Sequence, residues 1–307
     1  MKMYQLFVVS ILLMAISCTL DKTDYESEIN TAVPEHYEFK EATAINRDQY
    51  KISIETLNGT FYQGYNEIRV KITNTQTNEN ITASNTTFLP IMTNADGSKR
   101  SCPYQYALDY KPEGKYYSGY SVFTDKSNSI LSWKLYMSFK VKEVTYTVNK
   151  DIAVNEQSNK NLNMTSFTGN DGGQYYIALI APQKPKVAEN KLVAGIYKYN
   201  KPTIPAGNFP DPSQFSYSVV NGYTLQLDPR MPEPSMGNHS SPNNQDLIQG
   251  DDGLYHGVVN YTMTGNWTLN FIMLNQNGKI IKGTKVSTDF TPGVPGTKSE
   301  LFIDTLF

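Results

Sequence analysis

Trp133-Lys134-Leu135-Tyr136-Met137-Ser138-Phe139-Lys140 alternates large apolar with polar side chains at every step. Trp267-Thr268-Leu269-Asn270-Phe271-Ile272-Met273 sets Trp, Leu, Phe and Met in the same rhythm. Successive side chains of a strand point to opposite faces, so a period of two predicts an antiparallel strand with one face on a core and the other in water. Ile68, Val70 and Ile72 keep this alternation, as do Tyr223, Leu225 and Leu227. Turn-forming clusters such as Asn170-Asp171-Gly172-Gly173 and Asn277-Gly278 separate the runs, and no stretch shows three turns of helical spacing with a cap. These patterns predict an all-β fold of antiparallel sandwiches.

The two Trp runs sit in a longer repeat. Pro90-Ile91-Met92 followed by Ser101-Cys102-Pro103 recurs about 139 residues later as Pro229-Arg230-Met231 followed by Ser240-Ser241-Pro242. Tyr117-Ser118-Gly119-Tyr120 matches Tyr255-His256-Gly257-Val258, and Asn66-Glu67-Ile68 is echoed by Asn190-Lys191-Leu192. A period of this length means tandem domains rather than a solenoid, and 307 residues exceed the usual extent of one core. The expected arrangement is two immunoglobulin-like sandwiches, residues 39–170 and 171–307, the second lengthened by an insert from Pro202 to Ser216. Trp133 and Trp267 each open an apolar face, which reads as core Trp between sheets rather than a glycan-stacking platform.

At the amino terminus, a lysine precedes the apolar stretch Leu6 to Ile16, which ends at Ala15-Ile16-Ser17-Cys18. That stretch falls short of the ~20 residues needed to span a bilayer and has the layout of a secretory signal. Its terminal Cys resembles a bacterial lipobox. The resemblance implies a signal peptide over residues 1–17, lipidation at Cys18, a flexible tether over 18–38, and an extracytoplasmic protein anchored by its N-terminal lipid, with an outer membrane as the expected site. With Cys18 so used, Cys102 has no partner and is expected as a buried, inert thiol. The formal net charge is −2 with both signs scattered, which gives no electrostatic case for nucleic acid. The 22 tyrosines suit strand surfaces.

Enzyme signatures are missing. With three histidines in the chain there is no His-Glu-x-x-His helix, Gly-x-Ser-x-Gly elbow or phosphate-cradling glycine loop, so the expectation is a non-enzymatic protein. The strongest constellation is Met231-Pro232-Glu233-Pro234-Ser235-Met236-Gly237-Asn238-His239. The prolines stop the strand that ends at Met231, and Gly237 permits a reversal that brings Met236 and His239 toward Met231. Two thioethers and an imidazole are soft and borderline ligands, a set suited to Cu(I). His256, in a strand, is the one other histidine available to complete such a site. In the first copy Gly97 and Arg100 stand where Met236 and His239 stand in the second.

The run from Met231 through Asn244, with Gly253-Leu254-Tyr255-His256-Gly257 and Tyr261-Thr262-Met263-Thr264-Gly265-Asn266-Trp267, resembles the YtkA-like and FixH-like immunoglobulin-type domains of bacterial envelope proteins. The likeness is clearest over 229–273, with a weaker tandem copy over 65–141. Glu233-Pro234 and Asn238 depart from the family's shorter Met-Pro-x-Met-Gly-His core. The resemblance implies a copper or soft-metal module that hands its ion to an envelope transporter or another protein partner. The alternative is an accessory module binding protein or glycan through its Tyr-rich faces, with no metal.

Overall fold

The structure, a computed structural model, describes residues 37–307; the expected signal peptide, Cys18 and nearly all of the expected tether lie outside the described residues. The first half contains β1 (Phe39–Arg47), β2 (Tyr50–Leu57), β3 (Phe61–Tyr62), β4 (Gly64–Asn74), β5 (Ser84–Asn94), β6 (Lys99–Arg100), β7 (Asp109–Lys111), β8 (Tyr116–Phe123), β9 (Leu131–Val141), β10 (Val144–Ile152) and β11 (Val154–Asn155). Its main sheets run β1-β2-β4-β8-β7 and β10-β9-β5-β6. Their inward residues, among them Ile52, Ile54, Ile68, Val70, Phe88, Met92, Trp133 and Leu135, form one core. The alternation of the Trp133 run is the cause, since its odd positions are buried and its even ones line the outer face.

The second half contains β12 (Met164–Thr168), β13 (Gln174–Ala181), β14 (Glu189–Asn200), β15 (Ser216–Val219), β16 (Thr224–Met231), β17 (His239–Ser240), β18 (Gln245–Gln249), β19 (Tyr255–Asn260), β20 (Asn266–Leu274), β21 (Ile280–Lys282) and β22 (Phe302–Leu306). Here β18 pairs with both β19 and β16, so the strands join into one 11-stranded sheet wrapped round a second core. The fold is all-β; among the described residues the only helical pieces are two short 3-10 turns, Pro212–Phe215 and Pro234–Met236. The change of sheet comes earlier than Asn170, because β12 already pairs along its length with β13.

The repeat read from sequence is a repeat of hydrogen-bonding detail. Asn66 donates to the carbonyls of Tyr62 and Gly64 and accepts from the Tyr62 N–H, while Asn190 does the same with Lys186, Ala188 and the Lys186 N–H. Tyr117 donates its hydroxyl to the Ala83 carbonyl at 2.7 Å, and Tyr255 to that of Val220 at 2.8 Å. Both Trp residues are fully buried. Each indole N–H is satisfied by a nearby carbonyl, Asp125 for Trp133 and Met263 for Trp267, as a buried donor requires.

The two cores lie in one compact unit, and tyrosines fill the space between them. Tyr120 packs on Tyr197 with ring centroids 5.4 Å apart and on Tyr65 at 6.0 Å; Val122, Ala178 and Tyr197 are buried together. Burial pushes the Tyr120 hydroxyl up to about 12, even with Tyr197 hydrogen-bonded to it, the mark of a contact that excludes water. The insert docks on the outer face of the first half: Phe209 meets Tyr136 edge-on at 5.4 Å, and Phe215 is buried with Leu89 and Ile91. Tyr217 donates to the Ser101 carbonyl at 2.6 Å across the same junction. Gly64, at φ +97°, lets the connecting segment pass, since a Cβ there would lie on the Leu162 carbonyl oxygen.

Candidate functional site

The loop after β16 folds as its sequence dictates. Pro232 and Pro234 end the strand, Pro234–Met236 makes one 3-10 turn, and Gly237 (φ 62°) and Asn238 (φ 54°) are both left-handed. Two left-handed residues in succession reverse the chain, and β17 returns with His239 directly opposite Met231. Cross-strand partners project to the same face, so thioether and imidazole share one side of the ladder. The extra Asn238 is part of the reversal that sets this register.

Met231 is almost fully buried, and its methyl presses on Gly265, where a Cβ would come within 2.7 Å of Met231 Cε. The His239 ring lies edge-on to Trp267 at 6.2 Å between centroids, and its Nε2 is 2.9 Å from the Thr262 hydroxyl. Met236 and Met263 are partly buried against the same core. The structure thus brings together Met231 and His239 on one face, beside the Trp267 indole and the Thr262 hydroxyl, with Met236 packed on the same core. No cluster of three or more His, Cys, Asp or Glu side chains able to hold a metal occurs among the described residues. A metal here would rest on the thioethers, and that donor chemistry fits a soft monovalent ion far better than Ca²⁺, Mg²⁺ or Zn²⁺.

The C-terminal segment clamps the loop. Asn238, buried, donates to the carbonyls of Ser287 and Asp289. The Gly296 N–H donates to the Pro232 carbonyl at 2.7 Å, and Phe290 lies over Gly237. Sequence reasoning missed this cover, because the run from Gly283 to Thr297 carries no periodic pattern.

His256 belongs elsewhere. It is level with Ile248 on β18, and Ile248 is level with Thr224, at the opposite end of β16 from Met231. That strand separation is about 23 Å at roughly 3.3 Å per residue, so His256 cannot complete a site with Met231 and His239. Its Nε2 instead bonds Asp252 at 2.9 Å, and this contact, helped by the Leu254 N–H, holds the Asp252 carboxyl below the usual range. Cys102 is fully buried, and burial pushes its thiol well up from the ordinary value, so it is unreactive.

The first half carries a hairpin of the same register with a different loop and different side chains. Arg100 is opposite Met92 on β5 and β6, as His239 is opposite Met231, and Met92 is also level with Trp133. No protein-family model matches the sequence, and no curated protein does. Among solved structures, the chain is similar to a conserved domain protein from Bacillus anthracis at 10% identity, covering 89% of this chain and 93% of that one with a TM-score of 0.30. It is also similar to a DUF4785 family protein from Legionella pneumophila at 8% identity, covering 76% of this chain and 54% of that one with a TM-score of 0.23.

Proposed function

We propose that the protein is an extracytoplasmic, lipid-anchored, non-enzymatic carrier of the YtkA-like and FixH-like kind, whose second half takes up Cu(I) and passes it to an envelope transporter or other protein partner. The observation that carries this reading is the ladder register that sets His239 opposite Met231, beside the Trp267 indole. Met236 supplies the second thioether from the 3-10 turn. The ion is cargo, so its ligands must be soft enough to select it and mobile enough to release it. A strand-end pair provides selection, and a loop held by a few hydrogen bonds from the C-terminal segment provides release. The rival reading, recognition of protein or glycan through Tyr-rich faces in place of metal binding, finds no platform in Tyr65, Tyr120 and Tyr197, which pack against one another inside the molecule; Tyr176, Tyr199 and Tyr217 line a separate cleft.

The chain produced without residues 1–36 is titrated with Cu(I) under reducing conditions, with affinity read by competition against a chromophoric chelator. Met236→Leu keeps the volume and removes a soft donor; the expected result is copper affinity lowered by tenfold or more with an unchanged melting temperature. His256→Ala is expected to leave the affinity unaltered. Equal affinity in wild type and Met236→Leu would remove Met236 from the ligand set.

A further inference from the structure

A second opening lies between the two halves, away from the methionine loop. It has a volume of about 500 Å³, within the range of small-molecule sites. One wall belongs to the first half, with Lys99 and Arg100 on β6 and Asp125 just after β8; the other carries Tyr176, Tyr199 and Tyr217 from the second half. The tyrosines form a contiguous group, with Tyr217 5.4 Å from Tyr176 and 5.5 Å from Tyr199 between ring centroids. The bond from the Tyr217 hydroxyl to the Ser101 carbonyl ties one wall to the other, so the cleft is formed before any ligand arrives.

The cations of this wall are weakly engaged. Arg100 reaches Asp125 only at 3.9 Å and Asn94 at 3.4 Å, with its side chain exposed. A guanidinium offers five donors in a planar fork, so most of this one's capacity is unspent, and an exposed pair at such a distance contributes little. Lys99 sits 5.0 Å from the Phe209 ring centre. Lys99 and Arg100 stand near Asp125 and Asp96, so the feature that distinguishes the wall is the unspent donor capacity of the Arg100 guanidinium rather than its net charge.

We propose that this cleft binds a short carboxylate-bearing oligosaccharide, its acid group on Arg100 and its ring faces on the tyrosines. A sugar ring has an apolar C–H face and a polar rim, which is what an amphipathic tyrosine surface with neighbouring amides and hydroxyls accommodates. The guanidinium fork takes a carboxylate bidentately. Gln174 and Gln214 border the cleft and supply amides for the hydroxyl rim. The assignment does not depend on the metal reading, because no residue of the methionine loop lines the cleft.

The test uses the soluble chain without added metal, with trigalacturonate as the probe and calorimetry or chemical-shift perturbation as the readout. Trigalacturonate is expected to bind, its methyl ester to bind at least tenfold more weakly, and Arg100→Gln to lose a similar factor. Tyr199→Ala is expected to weaken the ester and the acid alike, whereas Lys142→Gln, on a distant turn, changes neither. No binding of trigalacturonate, or equal binding in Arg100→Gln, would overturn the proposal. A tetraglutamate peptide bound as tightly as the trisaccharide would also overturn it, by placing the specificity in charge alone.

Discussion

Two hairpins in this molecule share a register and differ in their loops and chemistry. In the first half, Met92 faces Arg100 and is level with Trp133; in the second, Met231 faces His239, whose ring lies against Trp267. The scaffold beneath them is held by the same devices, a fully buried indole and a buried asparagine that closes the turn before β4 or β14. What differs is the side chain at the tip and what covers it. The first hairpin borders the cleft between the halves, and the second is roofed by the C-terminal segment. A repeated fold thus constrains the interior strongly and leaves the strand ends free to carry different side chains.

The largest expected effect tests the shared interior. Trp133→Ala and Trp267→Ala should each cost about 3–5 kcal/mol by denaturant unfolding, since each removes a fully buried indole. A much smaller loss at either position would break the equivalence of the two cores. Next come the asparagines. Asn66→Ala and Asn190→Ala each remove a side chain satisfying three backbone groups, and each should cost about 2–3 kcal/mol, with similar values in the two halves.

A smaller effect should appear on only one side. Burial raises the Asp171 carboxyl, but the Tyr175 hydroxyl, the Gly173 N–H and Lys198 outweigh it and hold the group at about 2. A depressed carboxylate pKa adds stability that is present above its unfolded value of ~3.9 and is lost as pH falls through the folded value. Between pH 4 and pH 2 the melting temperature should therefore fall less in Asp171→Asn than in wild type. The difference should be modest, because solvent screens this partly exposed group. Identical acid profiles would remove Asp171 from the acid sensitivity of the second half.

The period-two runs and the repeat were legible because each strand buries one face, and the core selects its side chains residue by residue. The reversal at Gly237 was legible for the same local reason, two prolines followed by a residue free to turn. The outer faces were not. Tyr136 sits among the polar positions of its run and reads as wet, yet it packs under Phe209 of the insert. Thr268 and Asn270 also occupy outer positions and are buried, bonded to Asp304, Asp228 and Ser299. Alternation reports which residues share a face and not whether a distant segment will cover it. Whether His256 could join Met231 and His239 was open in the sequence for a related reason, since only strand order shows that it lies level with the far end of β16.

The difference between the hairpins is tested most directly by altering each at its distinguishing residue. Cu(I) stoichiometry and affinity are measured on the soluble chain, on His239→Arg, which gives the second hairpin the first one's residue, and on Arg100→Gln, which alters the first alone. The account predicts one ion per chain in wild type and in Arg100→Gln, and none bound tightly in His239→Arg, with folding intact in all three. Undiminished binding in His239→Arg, or loss of the ion in Arg100→Gln, would contradict it.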